Sequence, residues 1–446
     1  MDDEEPSDSG PPSGPEHPSD SSDFEELSDS SDFEEPSDSS DFEEPSDSPG
    51  TEEPSDSPGT EEPFEFEGVQ SPNLPDEGPE AEVFAGAFTV YEVERDGGRL
   101  LYFGQPEGSR RDALRALWPA FREAGYGLHL RPRLGETVLI AEPFEARSRG
   151  FPLTNVVLFV ATVLSTLLVG AYGWYYIPPG EIADDPLVML EAWPFAAAVL
   201  GVLGVHELGH YAMSKYHDVD ASLPYFIPMP TIIGTMGAVI KMRGQMPDRK
   251  ALFDIGVAGP LAGLAATIAV TMIGLWMDPI TVPERVLENS EGSLIMRNPM
   301  LLELIAGAMG APMVYDDPTK QVNPVVIGGW VGMFVTALNL IPVGQLDGGH
   351  MLRAMLGPRQ ESIGALVPLA LFGLAGYLYY ALGLGLQDSV LLWAIWGGLA
   401  MLMALNGPAH PIDDSELGWR RQLVGLITFG LGALCFTPIP FEFVPA

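Results

Sequence analysis

The residues best able to do chemistry sit together at Val205-His206-Glu207-Leu208-Gly209-His210, inside an apolar run. Residues four apart share a face of a helix, so His206 and His210 can present both imidazoles to one metal ion. Glu207 beside them can take a proton from water activated at that ion, which is the arrangement of a zinc hydrolase. In a soluble helix this spacing can arise by accident. Two histidines and a glutamate inside a membrane-length apolar segment are costly unless they function. The plainer alternative is a polar helix end at the interface, since Lys215, His217 and Asp218 follow; the metal-binding spacing argues against it.

A zinc hydrolase uses three protein ligands and one open position. The third ligand should come from another span at the same depth. A later apolar run ends Ala337-Leu338-Asn339-Leu340-Ile341-Pro342-Val343-Gly344-Gln345-Leu346-Asp347-Gly348-Gly349-His350. Pro342 and Gly344 should break that helix, and Asp347 follows in a Gly-rich turn. Asp347 is the expected third ligand. His350 competes with it, and spacing alone does not separate the two. Asp254, at the start of another span, is a weaker candidate. Asn339 either makes an interhelical hydrogen bond or holds the substrate's peptide or a developing oxyanion.

These residues need a membrane scaffold to position them. A bilayer core takes roughly 20 mostly apolar residues per helix. Residues 151–179 carry no charge. Further spans are expected near 192–214, 254–277, 325–343, 362–386, 389–406 and 422–440. The fold class is therefore an α-helical polytopic membrane protein with about six to seven transmembrane helices. Arg147 and Arg149 precede the first span. Lys215, Lys241, Arg243, Arg249, Lys250, Arg353, Arg359, Arg420 and Arg421 then fall on the same side. This pattern places the N-terminus, the histidine motif and Asp347 on the cytoplasmic side, with the 278–324 loop outside.

The residues match a family at this point. HELGH in a membrane span, followed by LNLIPVGQLDGG, resembles the site-2 protease family of intramembrane zinc metalloproteases. Phe253-Asp254-Ile255-Gly256-Val257-Ala258-Gly259-Pro260-Leu261-Ala262-Gly263 resembles that family's intervening Gly-containing helix motif. The longer match, over roughly 150–410, looks most like its EGY-type branch. The resemblance implies one zinc ion held by His206, His210 and Asp347, with Glu207 as catalytic acid/base. It places Asn339, Gly259 and Gly263 in substrate handling, and implies hydrolysis of transmembrane substrate helices. It also suggests a use for 223–242, which Pro224, Pro228, Pro230, Gly234 and Gly237 break up too much for a spanning helix. Broken backbone at membrane depth must be buried in protein or face a water-filled cavity. A re-entrant hairpin whose free edge pairs with an unwound substrate strand fits that constraint; a surface loop at the interface is the alternative.

Outside the membrane part the charge is uneven. The 446 residues hold 62 Asp+Glu against 22 Lys+Arg, a net of −40. Residues 1–82 carry 30 of the acids and none of the bases, leaving −10 for the remainder. Residues 1–83 form an acidic tail that contains a nine-residue repeat from Ser21 onward (SSDFEEPSD and variants), a pattern expected to stay disordered. Residues 84–147 read as a small soluble ββαββ-like domain, with Asp96-Gly97-Gly98 as a hairpin turn and Ser109 with Asp112 as a helix cap. His129 stands alone there, a surface or strand residue. The transmembrane metalloprotease domain covers 150–440. The balance of charge excludes a nucleic-acid binder, and the single Cys435 excludes a disulfide scaffold. Met1 is followed by Asp2, Asp3, Glu4 and Glu5, so no secretory leader is expected. Lys occurs only at 215, 241, 250 and 320; such a surface suits the salty cytoplasm of a halophilic archaeon, with the protein in the cell membrane. Expected partners are transmembrane protein substrates and the lipid bilayer. The rivals are a membrane metal-ion transporter, whose polar residues should line several spans, and a non-catalytic scaffold with an acidic recruiting tail.

Overall fold

The computed structural model describes residues 79–133, 136–143, 152–242, 246–288 and 294–443. The nine-residue acidic repeats lie outside the described residues.

Chain order begins with a four-stranded antiparallel sheet. β1 (Phe88–Asp96) and β2 (Arg99–Pro106) form a hairpin in which Asp96 pairs with Arg99. Its two turn residues, Gly97 and Gly98, have φ of 57° and 93°, values that glycine adopts without steric cost. α1 (Arg110–Glu123) follows, capped by the Ser109 hydroxyl, which accepts from the Asp112 N–H at 3.1 Å. β3 (Tyr126–Arg133) and β4 (Glu136–Pro143) complete the sheet in the order β1-β2-β4-β3. α1 lays Leu117 and Phe121 against Phe88, Leu100, Tyr102, Leu128 and Leu139, which form the core of this unit. His129 on β3 faces Ile140 of β4. Burial holds its imidazole below the ordinary value, helped by Arg131 and Arg99 and opposed by Glu142.

The rest is mostly helical. α2 (Leu153–Val169) continues through a π turn at Gly170–Trp174. α3 (Pro179–Asp184) and a 3₁₀ segment at Pro186–Ala192 lead into α4 (Trp193–Tyr216). β5 (Tyr225–Pro228) and β6 (Thr235–Val239) then pair antiparallel as a hairpin. α5 (Arg249–Trp276) starts at Asp248, whose carboxylate accepts from the Ala251 N–H at 2.7 Å. Next come β7 (Ile280–Thr281), α6 (Glu284–Glu288), β8 (Leu294–Met296), α7 (Met300–Met309) and β9 (Lys320–Gln321). α8 (Val325–Asn339), α9 (Asp347–Leu356), α10 (Arg359–Tyr380), α11 (Leu391–Asn406), α12 (Trp419–Cys435) and β10 (Phe441–Phe443) finish the chain.

Five of these segments are long and apolar enough to cross a membrane: Leu153–Trp174, Pro186–Tyr216, Arg249–Trp276, Arg359–Tyr380 and Leu386–Asn406. The runs expected at 325–343 and 422–440 appear as the shorter helices α8, of 15 residues, and α12, of 17. The loop expected at 278–324 contains a helix of its own, α7. β8 within it pairs with β10, so the C-terminal strand closes over the same end of the bundle. α5 is the central element. It packs along α4 and α8, where Phe195, Val199, Leu203, Leu264, Trp330, Val331 and Met333 form one buried cluster. Glycines let these helices approach closely. A Cβ on Gly329 would stand 2.1 Å from the Thr271 Oγ1, and one on Gly332 2.1 Å from the Thr267 Oγ1.

Candidate metal centre

α4 carries His206, Glu207 and His210, all buried. Their helical spacing puts both imidazoles on the face turned to α5, with ring centroids 4.9 Å apart and planes at 70°. The third group arrives from the turn after α8. There Gly344 has φ +51° with the Met403 carbonyl packed where a side chain would begin, and a Cβ on Gly348 would stand 2.2 Å from the Leu340 carbonyl oxygen. Only glycine allows the chain to fold this tightly over the end of α8. α9 therefore starts at Asp347, whose carboxylate reaches the histidines.

The three donor atoms form a nearly equilateral triangle. His206 Nε2 to His210 Nε2 is 3.2 Å, His210 Nε2 to Asp347 Oδ2 is 3.2 Å, and His206 Nε2 to Asp347 Oδ2 is 3.3 Å. A tetrahedral ion with bonds of about 2.0–2.1 Å separates its ligand atoms by about 3.3–3.4 Å, so the triangle has the size of one face of such a site. The chemistry agrees with the geometry. His210 Nδ1 donates to the Ile255 carbonyl at 2.7 Å. That carbonyl can only accept, so Nδ1 carries a proton and Nε2 is turned to the Asp347 carboxylate. A buried carboxylate against two imidazoles calls for positive charge between them, which a proton or a metal ion can supply, and the spacing of the three donors suits the metal. Among the described residues this is the one group of three His, Cys, Asp or Glu side chains with that spacing.

The neighbours of the triangle are equally specific. The hairpin packs on α4 close by: a Cβ on Gly204 would stand 3.6 Å from the Phe226 ring, and Phe226 shares a buried cluster with Leu203. Asn339, the last residue of α8, brings its Nδ2 to 3.2 Å from His206 Nε2. Gly259 and Gly263 lie on α5 directly against the rings. A Cβ on Gly259 would be 2.0 Å from His210 Nε2, and one on Gly263 would be 2.8 Å from His206 Nδ1.

Two residues that competed for the third position are placed elsewhere. His350, one turn along α9, turns its Nδ1 towards the Ala409 N–H at 3.4 Å. Asp254 is held by Arg421 of α12, with both contacts at 2.8 Å, and by His217 Nε2 at 3.0 Å. The Ile255 carbonyl was not foreseen, because a main-chain partner leaves no residue type to read. The one available signal was that Ile255 lies inside the glycine-containing stretch 253–263.

Residues 194–374, which span all three donors, match peptidase family M50. They form an M50 peptidase domain. The chain is similar to the probable chloroplastic zinc metalloprotease EGY1 of Arabidopsis thaliana, at 32% identity over 290 residues, covering 61% of this chain and 50% of that protein. It is also similar to the protein of the same name from Oryza sativa subsp. japonica, at 31% identity over 312 residues, covering 64% of this chain and 50% of that one. The chain thus spans about half the length of these curated relatives. Among solved structures, the site-2 protease from Methanocaldococcus jannaschii matches at 15% identity and a TM-score of 0.29, covering 58% of this chain and 92% of that one. That likeness is too loose to carry an argument. The M50 domain supplies α4, the hairpin, α5, α8 and α9, and with them every side chain of the triangle.

Proposed function

We propose that this chain is an intramembrane zinc endopeptidase that hydrolyses peptide bonds in transmembrane substrate helices. The observation that carries the reading is the buried donor triangle with a carboxylate beside it, on helices of membrane-crossing length. His206, His210 and Asp347 would hold the ion. A zinc ion there supplies Lewis acidity, polarising a carbonyl and lowering the pKa of water towards about 7.

The protein residues do the rest. Glu207 takes the proton of the attacking water and returns it to the leaving amine. Asn339 has an amide at the rim of the triangle, from which it can hold the substrate's peptide or the developing oxyanion. Gly259 and Gly263 leave the space in which the imidazoles stand; this supports a spacing role beside the substrate-handling one. The hairpin offers a strand edge to an unwound substrate segment, exposing a bond that a helix hides. The distribution of Lys and Arg supports a cytoplasmic N-terminus, a cytoplasm-side site and residence in the cell membrane. α8 and α12 supplement the five longer helices to give a bundle of six to seven. Residues 84–147 form a soluble domain on the cytoplasmic side, and the Lys-poor surface suits a halophilic host.

The test uses the zinc-loaded chain in liposomes with a model single-span substrate. The expectation is one zinc per chain and cleavage of the substrate. Glu207→Gln should keep the zinc and lose about 10²- to 10⁴-fold in rate, whereas Asp347→Ala should lose the zinc as well. Metal passage without cleavage would sink the peptidase reading in favour of a transporter, and neither metal nor cleavage would leave a scaffold.

A further inference from the structure

We propose that α2 is a clamp for the β5–β6 hairpin, and that Asn155, Ser165 and Trp174 are positioning residues that set where the hairpin lies against α4, one turn from Glu207. The inference rests on the proteolytic reading above and adds a second tier to it.

α2 turns an apolar face outward, with Leu153, Val157, Val160, Leu164 and Leu168 exposed. Asn155 and Ser165 on its inner side, with Trp174 in the π turn that continues it, donate to the main chain of the hairpin. Asn155 Nδ2 reaches the Leu223 and Pro224 carbonyls at 3.0 and 2.9 Å. Ser165 Oγ reaches the Gly234 carbonyl at 2.6 Å, and Trp174 Nε1 reaches that of Ile232 at 3.0 Å. Asn155 and Trp174 are separated by about 28 Å of helix at about 1.5 Å per residue. The hairpin is therefore fastened where it enters and again at its tip, across most of a bilayer core. Between these points Phe159 sets its ring edge-on to Phe226, with centroids 5.1 Å apart.

The tip lies on the helix main chain. Gly234 has φ +79°, and a Cβ there would be 2.5 Å from the Thr166 Cα and 2.8 Å from the Ser165 carbonyl oxygen. From this fastened tip the hairpin runs back to α4, where the Phe226 ring stands 3.6 Å from the place a Cβ on Gly204 would take, one turn before Glu207. All four acceptors are main-chain carbonyls, so the hairpin's own side chains do not carry these bonds. The three donors on α2 and its π turn carry them. Polar groups in an apolar span are costly unless they are satisfied in a specific geometry, and here that geometry holds a hairpin against the helix that bears Glu207. α2 contributes no donor to the metal triangle, so loosening it should shift the hairpin and leave the metal in place.

The test compares the full-length zinc-loaded chain with the triple variant Asn155→Leu, Ser165→Ala, Trp174→Phe, which removes the donors and keeps most of the volume. Hydrogen exchange of the 229–242 segment is measured beside turnover of the single-span substrate. The expected result is faster exchange of that segment, unchanged zinc content, a kcat lowered about 10- to 100-fold and a raised KM, since the same hairpin is proposed to take the substrate strand. Ser165→Thr, which keeps the hydroxyl, should behave as wild type where Ser165→Ala does not. Unchanged exchange would overturn the clamp. So would a normal kcat despite loosened exchange, or a fall in zinc content that tracks the fall in kcat. If the wild-type chain cleaves nothing, the peptidase reading fails by itself, and the exchange comparison still decides the clamp.

Discussion

At the scale of single residues, the site depends as much on missing side chains as on present ones. Gly259 and Gly263 are four apart on α5, one against each imidazole. A methyl at 259 would fall 2.0 Å from the metal-facing nitrogen of His210, whereas one at 263 meets His206 at 2.8–2.9 Å on Nδ1 and Cβ. Gly259→Ala should therefore displace the ligand atom itself and cost more than 100-fold in zinc affinity, above the roughly 10- to 100-fold typical of lost supporting groups. Gly263→Ala should stay within that range. Zinc titration of the two variants checks the order, and a tighter site in Gly259→Ala would refute the packing argument. The histidines were legible because helical period fixes their relation. The choice between Asp347 and His350 was not. Both follow the same broken helix, and only the Gly348–Gly349 turn, folded over the Leu340 carbonyl, decides that helix α9 opens on Asp347 and carries His350 past the triangle.

At the scale of elements, the apolar runs announced the long helices because a bilayer demands length and little else. α7 escaped notice because its ten residues are too few to stand out within 278–324. The hairpin was legible through its prolines and glycines, but its partner was not, since α2 reads as a plain apolar span. The seam between α5 and α8 is the element that keeps the two halves of the triangle in register. Gly329 and Gly332 face Thr271 and Thr267 of α5, and Gly328 faces Ala198 of α4, at distances that leave no room for a Cβ. Gly332→Val would drive its side chain into the Thr267 hydroxyl and Val202, pushing α8 away and moving Asn339 and Asp347 with it. Overpacking of this kind costs about 1–3 kcal/mol. The expected outcome is a lower melting temperature together with weaker zinc binding, although residue 332 touches no ligand. A variant that melts early but binds zinc normally would show that α8 and the triangle are not coupled through this seam.

At the scale of the whole molecule, two ionic contacts of opposite value lie side by side. α1 of the small sheet unit reaches the membrane body through Arg115 to Asp413 and through Arg122 to the Asp218 carbonyl at 2.8 Å, at the end of the helix bearing the histidines. One residue on, Asp414 faces inward. It accepts from Arg353 at 3.2 and 3.4 Å and stands 3.8 Å from Arg249. Arg353 is 2% exposed, whereas Arg115 is 53% exposed. The difference decides what each pair contributes. An exposed pair is worth about 0–1 kcal/mol and is screened by salt. Removing one partner of a buried pair leaves an uncompensated charge and costs about 3–5 kcal/mol. Asp414→Asn should therefore lower the melting temperature by many degrees, because Arg353 and Arg249 jointly tie the start of α5 to the end of α9, and Arg249 spends its Nε and Nη2 donors on the Ala354 and Met355 carbonyls. Arg115→Ala should barely move the melting temperature, and the little it does should vanish in molar salt. Its effect should appear instead as faster hydrogen exchange in α1 and at the C-terminal end of α4, where the small sheet unit leans on the helix that bears the histidines. Thermal melts of the two variants at low and high salt separate these expectations: equal destabilisation of both, or a salt-sensitive Asp414→Asn, would contradict the division into a buried tie and an exposed contact.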